Sequence, residues 1–189
     1  MFKRIISIVL SVLLVLTVAV AFITTHQQNG SGEVSAAICT SLTEENKRWI
    51  IDRYGDCNTV EELIVRLNDE ICTEYTYYQP PVIIIQHFDF DRFITTKKGL
   101  CYDYSCYLKI VFKTIFPSVK VHICDVRTGL VGGHSYNFIE TGDKRYYVDL
   151  TSDQYAYNHN QKRVIYENIG EQTFEEYAAK YNEKIMNYH

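Results

Sequence analysis

Four stretches of the chain carry apolar residues at helical spacing. Three of them open on a Ser/Thr-x-x-Glu capping box, at Ser41, Thr59 and Thr173, and the apolar residues that follow recur three and four positions apart. The fourth helix is predicted to begin at Cys101 and to stop at Pro117, which cannot continue it. These helices are predicted to be scaffold, because their periodic apolar faces pack against a core.

Between residues 117 and 152 apolar and polar residues alternate, which is typical of half-buried strands. One strand is predicted around residues 119–124, and two more flank the turn Gly142-Asp143 and form a hairpin with it. Residues 79–99 contain two early prolines and are predicted to be irregular, or a short strand leading into a loop. Asp89 and Asp91 in that loop are predicted to be surface carboxylates, because the glycine and the distal acid of a calcium loop are missing.

Residues 1–23 have the pattern of a segment that directs export. Lys3 and Arg4 precede an uncharged apolar run, and Ala19-Val20-Ala21 offers a small-x-small cleavage site at its end. The segment is therefore predicted to be a signal peptide or, because the run is about 20 residues long, an uncleaved membrane anchor. The anchor is favoured, with its N-terminus on the cytoplasmic side as the two cations dictate.

The remainder of the chain is predicted to be one domain that works outside the cytoplasm. Residues 24–37 are small and polar, which indicates a flexible linker, and residues 38–189 follow as the domain. The formal net charge is -4, from 19 Lys and Arg against 23 Asp and Glu, and the cations form no cluster. A nucleic-acid partner is disfavoured on that ground, because phosphate binding requires clustered cations.

Three residues have the chemistry of a nucleophilic site. Cys101 is expected at a helix N-terminus, where unpaired amides and the helix dipole favour the reactive thiolate. The amide of Cys101 could also face a developing oxyanion. His134 follows two glycines in one strand of the predicted hairpin, and Asp149 lies in the other. A cysteine, a histidine and a carboxylate supply a nucleophile, a base and a group that orients the base.

The hairpin register tests whether His134 and Asp149 can meet. If Thr141 pairs with Lys144 across a two-residue turn, His134 lies opposite Thr151, and Asp149 is its diagonal neighbour on the same face. A register shifted by two residues puts His134 directly opposite Asp149, whereas a shift by one would place them on opposite faces. The simplest hairpins therefore predict a histidine–carboxylate pair.

Two segments resemble the transglutaminase-like superfamily. The sequence GLCYDYSCYLKIVF resembles its nucleophile motif, a Gly-x-Cys-x-Asp-aromatic-small pattern that opens a helix. The sequence HSYNFIETGDKRYYVDLT resembles the next two motifs, His-x-aromatic-Asn on one strand and aromatic-Val-Asp-x-Thr on the next. The resemblance extends over roughly residues 58–153 and includes the helix after Thr59 that runs into Tyr75-Thr76-Tyr77.

The resemblance implies a papain-like α+β fold in which the nucleophile helix packs on an antiparallel sheet. It implies that Cys101, His134 and Asp149 form the catalytic triad and that no metal or other cofactor is needed. The family often has Trp two positions after the histidine, where this chain has Tyr136. An oxyanion donor besides the Cys101 amide is not identified by the sequence, and Gln86 is the only candidate.

The expected function is that of an extracytoplasmic cysteine enzyme that cleaves amide bonds through a thioester. Hydrolysis, as by a peptidase or amidase, is preferred over transfer to an amine, because the sequence indicates no acceptor pocket and the chain lacks the large extra domains of animal cross-linking enzymes. The substrate would be a protein, a peptide or a cell-envelope amide, and the membrane would be a partner if residues 1–23 stay attached. The alternative is a non-catalytic peptide- or glycan-binding scaffold, with some of the 16 tyrosines lining a groove.

Six cysteines in an exported chain would permit three disulfides. If Cys101 is a free thiolate, at most two are possible, and the chain is predicted to have few or none. Cys106 is expected in the core, with Cys39, Cys57, Cys72 and Cys124 as further bystanders. A metal site at His122 and Cys124 is disfavoured, because the chain contains no Cys-x-x-Cys pair.

Overall fold

The computed structural model describes residues 42–78, 87–128, 132–174, 176, 177 and 179. In chain order its elements are helix α1 (Glu44–Tyr54), helix α2 (Val60–Glu74), strand β1 (Thr76–Tyr77), helix α3 (Phe90–Thr96), strand β2 (Lys98–Gly99), helix α4 (Cys101–Ile115), strands β3 (Lys120–Thr128), β4 (Gly132–Thr141) and β5 (Lys144–Val148), helix α5 (Leu150–Asn158) and strand β6 (Glu167–Asn168). The fold is mixed α+β.

The apolar run predicted to be a signal peptide or an anchor lies outside the described residues, as does the linker that follows it. None of the helices in the described part of the chain is both long enough and apolar enough to cross a membrane. The described residues belong to one compact unit, Ser31–His189.

Side-chain caps fix where the first two helices begin. The predicted capping box of α2 is confirmed: Thr59 Oγ1 accepts the Glu62 N–H at 3.1 Å, and Glu62 Oε2 accepts the Thr59 N–H at 3.3 Å. The predicted start of α1 at Ser41 is wrong, because Thr43 is the capping residue. Its hydroxyl accepts the Asn46 N–H at 3.1 Å, and one capping oxygen is enough to define a helix start.

Helix α3 lies where an irregular segment or a short strand leading into a loop was expected, so that prediction is wrong for residues 90–96. Asp89 is exposed as predicted, but its side chain also caps the helix by accepting the Arg92 N–H at 3.0 Å. Phe90 and Phe93 are buried one turn apart and fix the helix against the core. Residues 79–86 lie outside the described part of the chain.

Strands β3, β4, β5 and β6 form an antiparallel sheet in that order. The predicted hairpin register is confirmed, since Thr141 pairs with Lys144 and Asn137 with Val148. Gly142 adopts a positive φ of 57° in the turn, a conformation that suits glycine. The second hairpin strand was predicted to run on to Thr151, but β5 ends at Val148 and the chain continues into α5.

The sheet packs on both of its faces. Helix α4 covers one face, where buried side chains of the strands join the main core, among them Val121, Ile123, Ile139, Tyr146 and Val148. The other face carries a smaller cluster of Cys124, Tyr136, Phe138, Tyr147 and Tyr177. The buried Asn137 side chain donates to the Ser105 carbonyl at 3.1 Å, which ties β4 to the second turn of α4. Helix α4 and strand β4 are therefore fixed relative to each other.

The cysteines of the described residues are all free thiols, namely Cys57, Cys72, Cys101, Cys106 and Cys124. The prediction of few or no disulfides is confirmed for these residues, and Cys39 lies outside them. Cys106 is fully buried in the main core, also as predicted.

Candidate active site

Cys101 is the first residue of α4 and is 9% exposed. Gly99 lies two residues earlier, and its φ is not positive. A Cβ atom at Gly99 would lie 2.6 Å from the Phe93 ring and 2.9 Å from the Asp103 Cβ. Only a residue without a side chain lets α3 pack so closely against the start of α4.

Asp103 stabilises the first turn of α4, to which it belongs. Its carboxylate accepts the Leu100 N–H at 2.9 Å, which satisfies an amide just before the helix. Arg92 donates to the other carboxylate oxygen at 3.3 Å and links this turn to α3. Burial raises the pKa of Asp103, and the Leu100 amide and Arg92 oppose that shift. These contacts position the Cys101 backbone rather than touch its sulfur.

His134 lies near the start of β4, and Asp149 directly follows β5 at the same end of the sheet. His134 Nε2 and Asp149 Oδ2 are 2.6 Å apart, the distance of a strong charge-assisted hydrogen bond. The ring of His134 also stacks on Tyr136, with 6.3 Å between centroids. Because Nε2 is bound to Asp149, Nδ1 is the ring nitrogen left for Cys101, whose side chain interacts with the ring.

Asp149 is almost fully buried and is surrounded by donors. Ser152 donates its N–H to Oδ1 at 3.0 Å and its hydroxyl to Oδ2 at 2.7 Å, so Asp149 also caps helix α5. The Tyr147 hydroxyl donates to Oδ2 at 3.0 Å. With the His134 ring, Oδ2 accepts three hydrogen bonds and Oδ1 accepts one, and together they hold the side chain in one orientation.

The surroundings favour the ionised forms of Cys101 and His134. Burial opposes the thiolate, but the His134 hydrogen bond and charge, with the amides of Ser135 and Tyr102, outweigh it and lower the pKa of Cys101. Burial likewise opposes the imidazolium, but the hydrogen bonds to Asp149 and Cys101 raise the pKa of His134 to about 10. The surroundings therefore stabilise the thiolate of Cys101 and the imidazolium of His134 together.

Asp149 remains a carboxylate in spite of its burial. Desolvation would raise its pKa, but the hydrogen bond and charge of His134 and the two donors of Ser152 lower it. The buried anion in turn holds the imidazolium. By contrast, burial raises the pKa of the Cys72 thiol, and raises that of Cys124 to about 12. The surroundings of Cys101 differ from those of Cys72 and Cys124 in lowering the thiol pKa.

Two tyrosines and one serine that the sequence did not single out also belong to the candidate site. Tyr147 and Ser152 bind Asp149, and the Tyr77 hydroxyl lies within hydrogen-bond reach of Cys101. Ser152 had a signal in the sequence, because Asp-x-x-Ser is a helix-start pattern in which the aspartate caps the third amide. Tyr77 had none, since its position depends on the pairing of two strands distant in sequence.

The other sequence candidates lie away from this site or outside the described residues. Gln86, the candidate oxyanion donor, is not among the described residues. His122 Nε2 lies 2.9 Å from Glu140 Oε1, and the His122 ring stacks on Phe174. Within the described ranges no group of three or more His, Cys, Asp or Glu side chains is arranged to hold a metal ion.

No family model matches the chain, and no curated protein matches it either. Function is therefore inferred from the arrangement of Cys101, His134 and Asp149 and from the motifs that contain them. A thiolate, an imidazolium and a buried carboxylate in this order can attack a carbonyl carbon and return a proton to the group that leaves.

Proposed function

We propose that this protein is a transglutaminase-like cysteine enzyme that acts on amide bonds through a thioester intermediate. The observation that carries the proposal is the hydrogen bond of 2.6 Å between His134 and the buried Asp149, on a ring that also interacts with the Cys101 side chain. The papain-like arrangement belongs to the same proposal. It is supported by a nucleophile at the start of α4 and a histidine on the sheet that α4 covers.

In the first half-reaction the Cys101 thiolate attacks the carbonyl carbon of the amide. A sulfur–carbon bond forms, and the π electrons of the carbonyl move onto its oxygen. When they return, the carbon–nitrogen bond breaks, and the proton on His134 Nδ1 goes to the departing nitrogen. An amine leaves, and the acyl group stays on Cys101 as a thioester. Asp149 keeps the ring oriented and stabilises its charged form throughout.

In the second half-reaction His134, now neutral, takes a proton from the acceptor as it attacks the thioester. The sulfur–carbon bond breaks and restores the thiolate–imidazolium pair. Water as the acceptor gives a carboxylic acid, and a primary amine gives a new amide. We favour water, so that the enzyme is a peptidase or amidase, because water needs no binding pocket of its own. The substrate class is a protein, a peptide or a cell-envelope amide.

The proposal places this chemistry outside the cytoplasm, with the enzyme secreted or held at the membrane by residues 1–23. The support is the cationic start and the apolar run of the sequence. Free thiols in the described domain are compatible with that location when the fold is held by an apolar core rather than by disulfides.

Thiol labelling tests the first chemical step without knowledge of the substrate. Iodoacetamide is added at pH 6 to the wild type, to Cys101→Ala and to the matched control Cys57→Ala, whose free thiol is half-buried. Peptide mass spectrometry reports the rate at each cysteine. We expect Cys101 to react at least about tenfold faster than N-acetylcysteine, because its lowered pKa leaves a larger fraction of it as thiolate at this pH. A rate at Cys101 no faster than that of N-acetylcysteine would refute the proposal.

Acylation with 4-nitrophenyl acetate then tests turnover. The Cys101 thioester is expected to form in the wild type and in Cys57→Ala and to be absent from Cys101→Ala. Its loss in water, compared with its loss in the presence of glycinamide, measures the partition between hydrolysis and transfer. A reactive Cys101 that is never acylated would favour the binding-scaffold alternative instead.

A further inference from the structure

Strands β1 and β2 bring a distant tyrosine to the nucleophile. They form a two-stranded parallel sheet in which Tyr77 pairs with Gly99, two residues before Cys101. The Tyr78 N–H donates to the Gly99 carbonyl at 3.0 Å, and the Thr76 N–H donates to the Lys97 carbonyl at 2.9 Å. This backbone pairing fixes the position of the Tyr77 Cα relative to the start of α4.

The Tyr77 ring lies along the start of α4. Its edge meets the Tyr104 ring, with centroids 6.2 Å apart and planes at 71°, and Tyr104 is one turn beyond Cys101 on the same helix. From there the Tyr77 hydroxyl interacts with both the side chain and the backbone of Cys101. The side chain is 39% exposed, so the ring has room to adjust when a ligand arrives.

An amide substrate needs donors at this place. When the Cys101 thiolate adds to a carbonyl, the oxygen that gains the charge lies about 3 Å from the donors that stabilise it. The Cys101 N–H is one donor. The Tyr77 side chain, held beside Gly99 by the strand pairing and against the Tyr104 ring, interacts with Cys101 and lies beside the position that the substrate oxygen would take.

We propose that Tyr77 is the second oxyanion donor of this site. The substrate carbonyl oxygen accepts the Cys101 N–H, and the Tyr77 hydroxyl beside it donates a second hydrogen bond to that oxygen. No proton is transferred. The hydrogen bond from the Tyr77 hydroxyl is stronger in the tetrahedral intermediate than in the substrate complex, because the substrate oxygen is then charged. This inference rests on the proposed function and completes its oxyanion site.

Tyr77 is suited to donate throughout the working pH range. Burial, followed by the negative charge of Cys101, raises the pKa of Tyr77 to about 12, so the phenol stays protonated. Its neighbour Tyr78 provides a control, because Tyr78 is 52% exposed and belongs to the same short strand pairing.

The experiment compares two reactions of Cys101 in the wild type, Tyr77→Phe and Tyr78→Phe. Acylation by 4-nitrophenyl acetate passes through an oxyanion, whereas alkylation by iodoacetamide displaces iodide at carbon and forms none. For Tyr77→Phe we expect the acylation rate constant to fall about 10²-fold, the usual effect of losing one oxyanion donor, with alkylation within about twofold of the wild type. Tyr78→Phe is expected to match the wild type in both reactions.

The pair of rates separates the possible outcomes. If both reactions slow by the same factor in Tyr77→Phe, Tyr77 only positions the thiolate and the inference is overturned. If acylation is unchanged, the inference is likewise overturned. Alkylation also reports that the variant is folded, since a disordered site would lose the activated thiolate. Failure of the proposed function appears separately, as a wild-type Cys101 that alkylates no faster than N-acetylcysteine.

Discussion

Two carboxylates of this protein, Asp149 and Glu70, are both buried and both meet tyrosine hydroxyls and a cationic side chain. Their pKa values nevertheless shift in opposite directions. The pKa of Asp149 is lowered, whereas burial raises the pKa of Glu70 in spite of Arg53 and Lys97 nearby. The first carboxylate belongs to the candidate active site, and the second lies in the main core between α1, α2 and α4.

The two pKa shifts differ because the donors to Asp149 are closer and are not shared with another carboxylate. Asp149 receives an N–H, two hydroxyls and the His134 ring at 2.6 to 3.0 Å. Glu70 is hydrogen-bonded by Tyr54, but the Tyr107 hydroxyl is 3.4 Å away, and the Arg53 and Lys97 cations also bind Glu74. Burial alone therefore does not set the charge of a carboxylate; the donors directed at it do.

The largest effect is expected when the anion of the active site is neutralised. In Asp149→Asn the amide oxygen can still cap α5, but the NH2 group faces the donors that Oδ2 accepts in the wild type, and the side chain no longer stabilises the His134 imidazolium. We expect acylation of Cys101 by 4-nitrophenyl acetate to slow about 10³- to 10⁴-fold. Glu70→Gln is the matched control, with a rate within about twofold of the wild type. An Asp149→Asn rate within tenfold of the wild type would contradict the assignment of Asp149.

An intermediate effect is expected in the pH dependence of the thiol. The ordinary cysteine pKa is 9.0, and the lowered pKa of Cys101 keeps alkylation by iodoacetamide fast as the pH falls below that value. Acyl transfer should decline as the pH rises through about 10, because His134 then loses the proton that the leaving nitrogen needs. The rates of alkylation and of acyl transfer from an amide, each measured from pH 5 to 10.5, test these two expectations. Glu70→Gln should leave both pH profiles unchanged.

A wild-type alkylation profile centred on pH 9 would show that Cys101 is an ordinary thiol. In Asp149→Asn the same profile is expected to move toward higher pH, because a neutral His134 no longer favours the thiolate. The profile therefore distinguishes an anion that acts through His134 from one that serves only the helix cap.

The smallest effect is expected at Glu70 and concerns stability. Its raised pKa means that the folded state holds this proton more tightly than the unfolded state, so its contribution to stability decreases as the pH rises from 4.5 through the raised folded pKa. Glu70→Gln removes that contribution. We expect the difference in unfolding free energy between the wild type and the variant to change by on the order of 1 kcal/mol between pH 4.5 and 8. Urea denaturation measures it, and parallel pH profiles would contradict it.

The meeting of His134 and Asp149 could be predicted because it depends on local rules. A two-residue turn at Gly142-Asp143 fixes the register, and the period of two in a strand then decides which residues share a face. The start of α4 at Cys101 followed in the same way from the segment before Pro117. The role of these residues in catalysis stays a prediction.

The features that the sequence did not predict depend either on tertiary structure or on short helix-capping patterns. The pairing of Tyr77 with Gly99 joins residues far apart in the chain, and no local pattern specifies it. Helix α5 was mistaken for strand because Val148 and Leu150 continue an alternating pattern, although Asp149 and Ser152 form a cap that stops it. In α3 the same kind of aspartate cap at Asp89 was overlooked after two prolines.

The double attachment of Asp149, to His134 and to the start of α5, has a consequence for natural variation. A chain that had lost its chemistry would still need an N-cap at this position, so Asp149 would persist under selection for folding alone. Cys101 and His134 have no such second duty in helix capping, and an inactive descendant could lose either. Among variants of this protein, it is Cys101 and His134, and not Asp149, whose retention would distinguish an enzyme from a folded remnant.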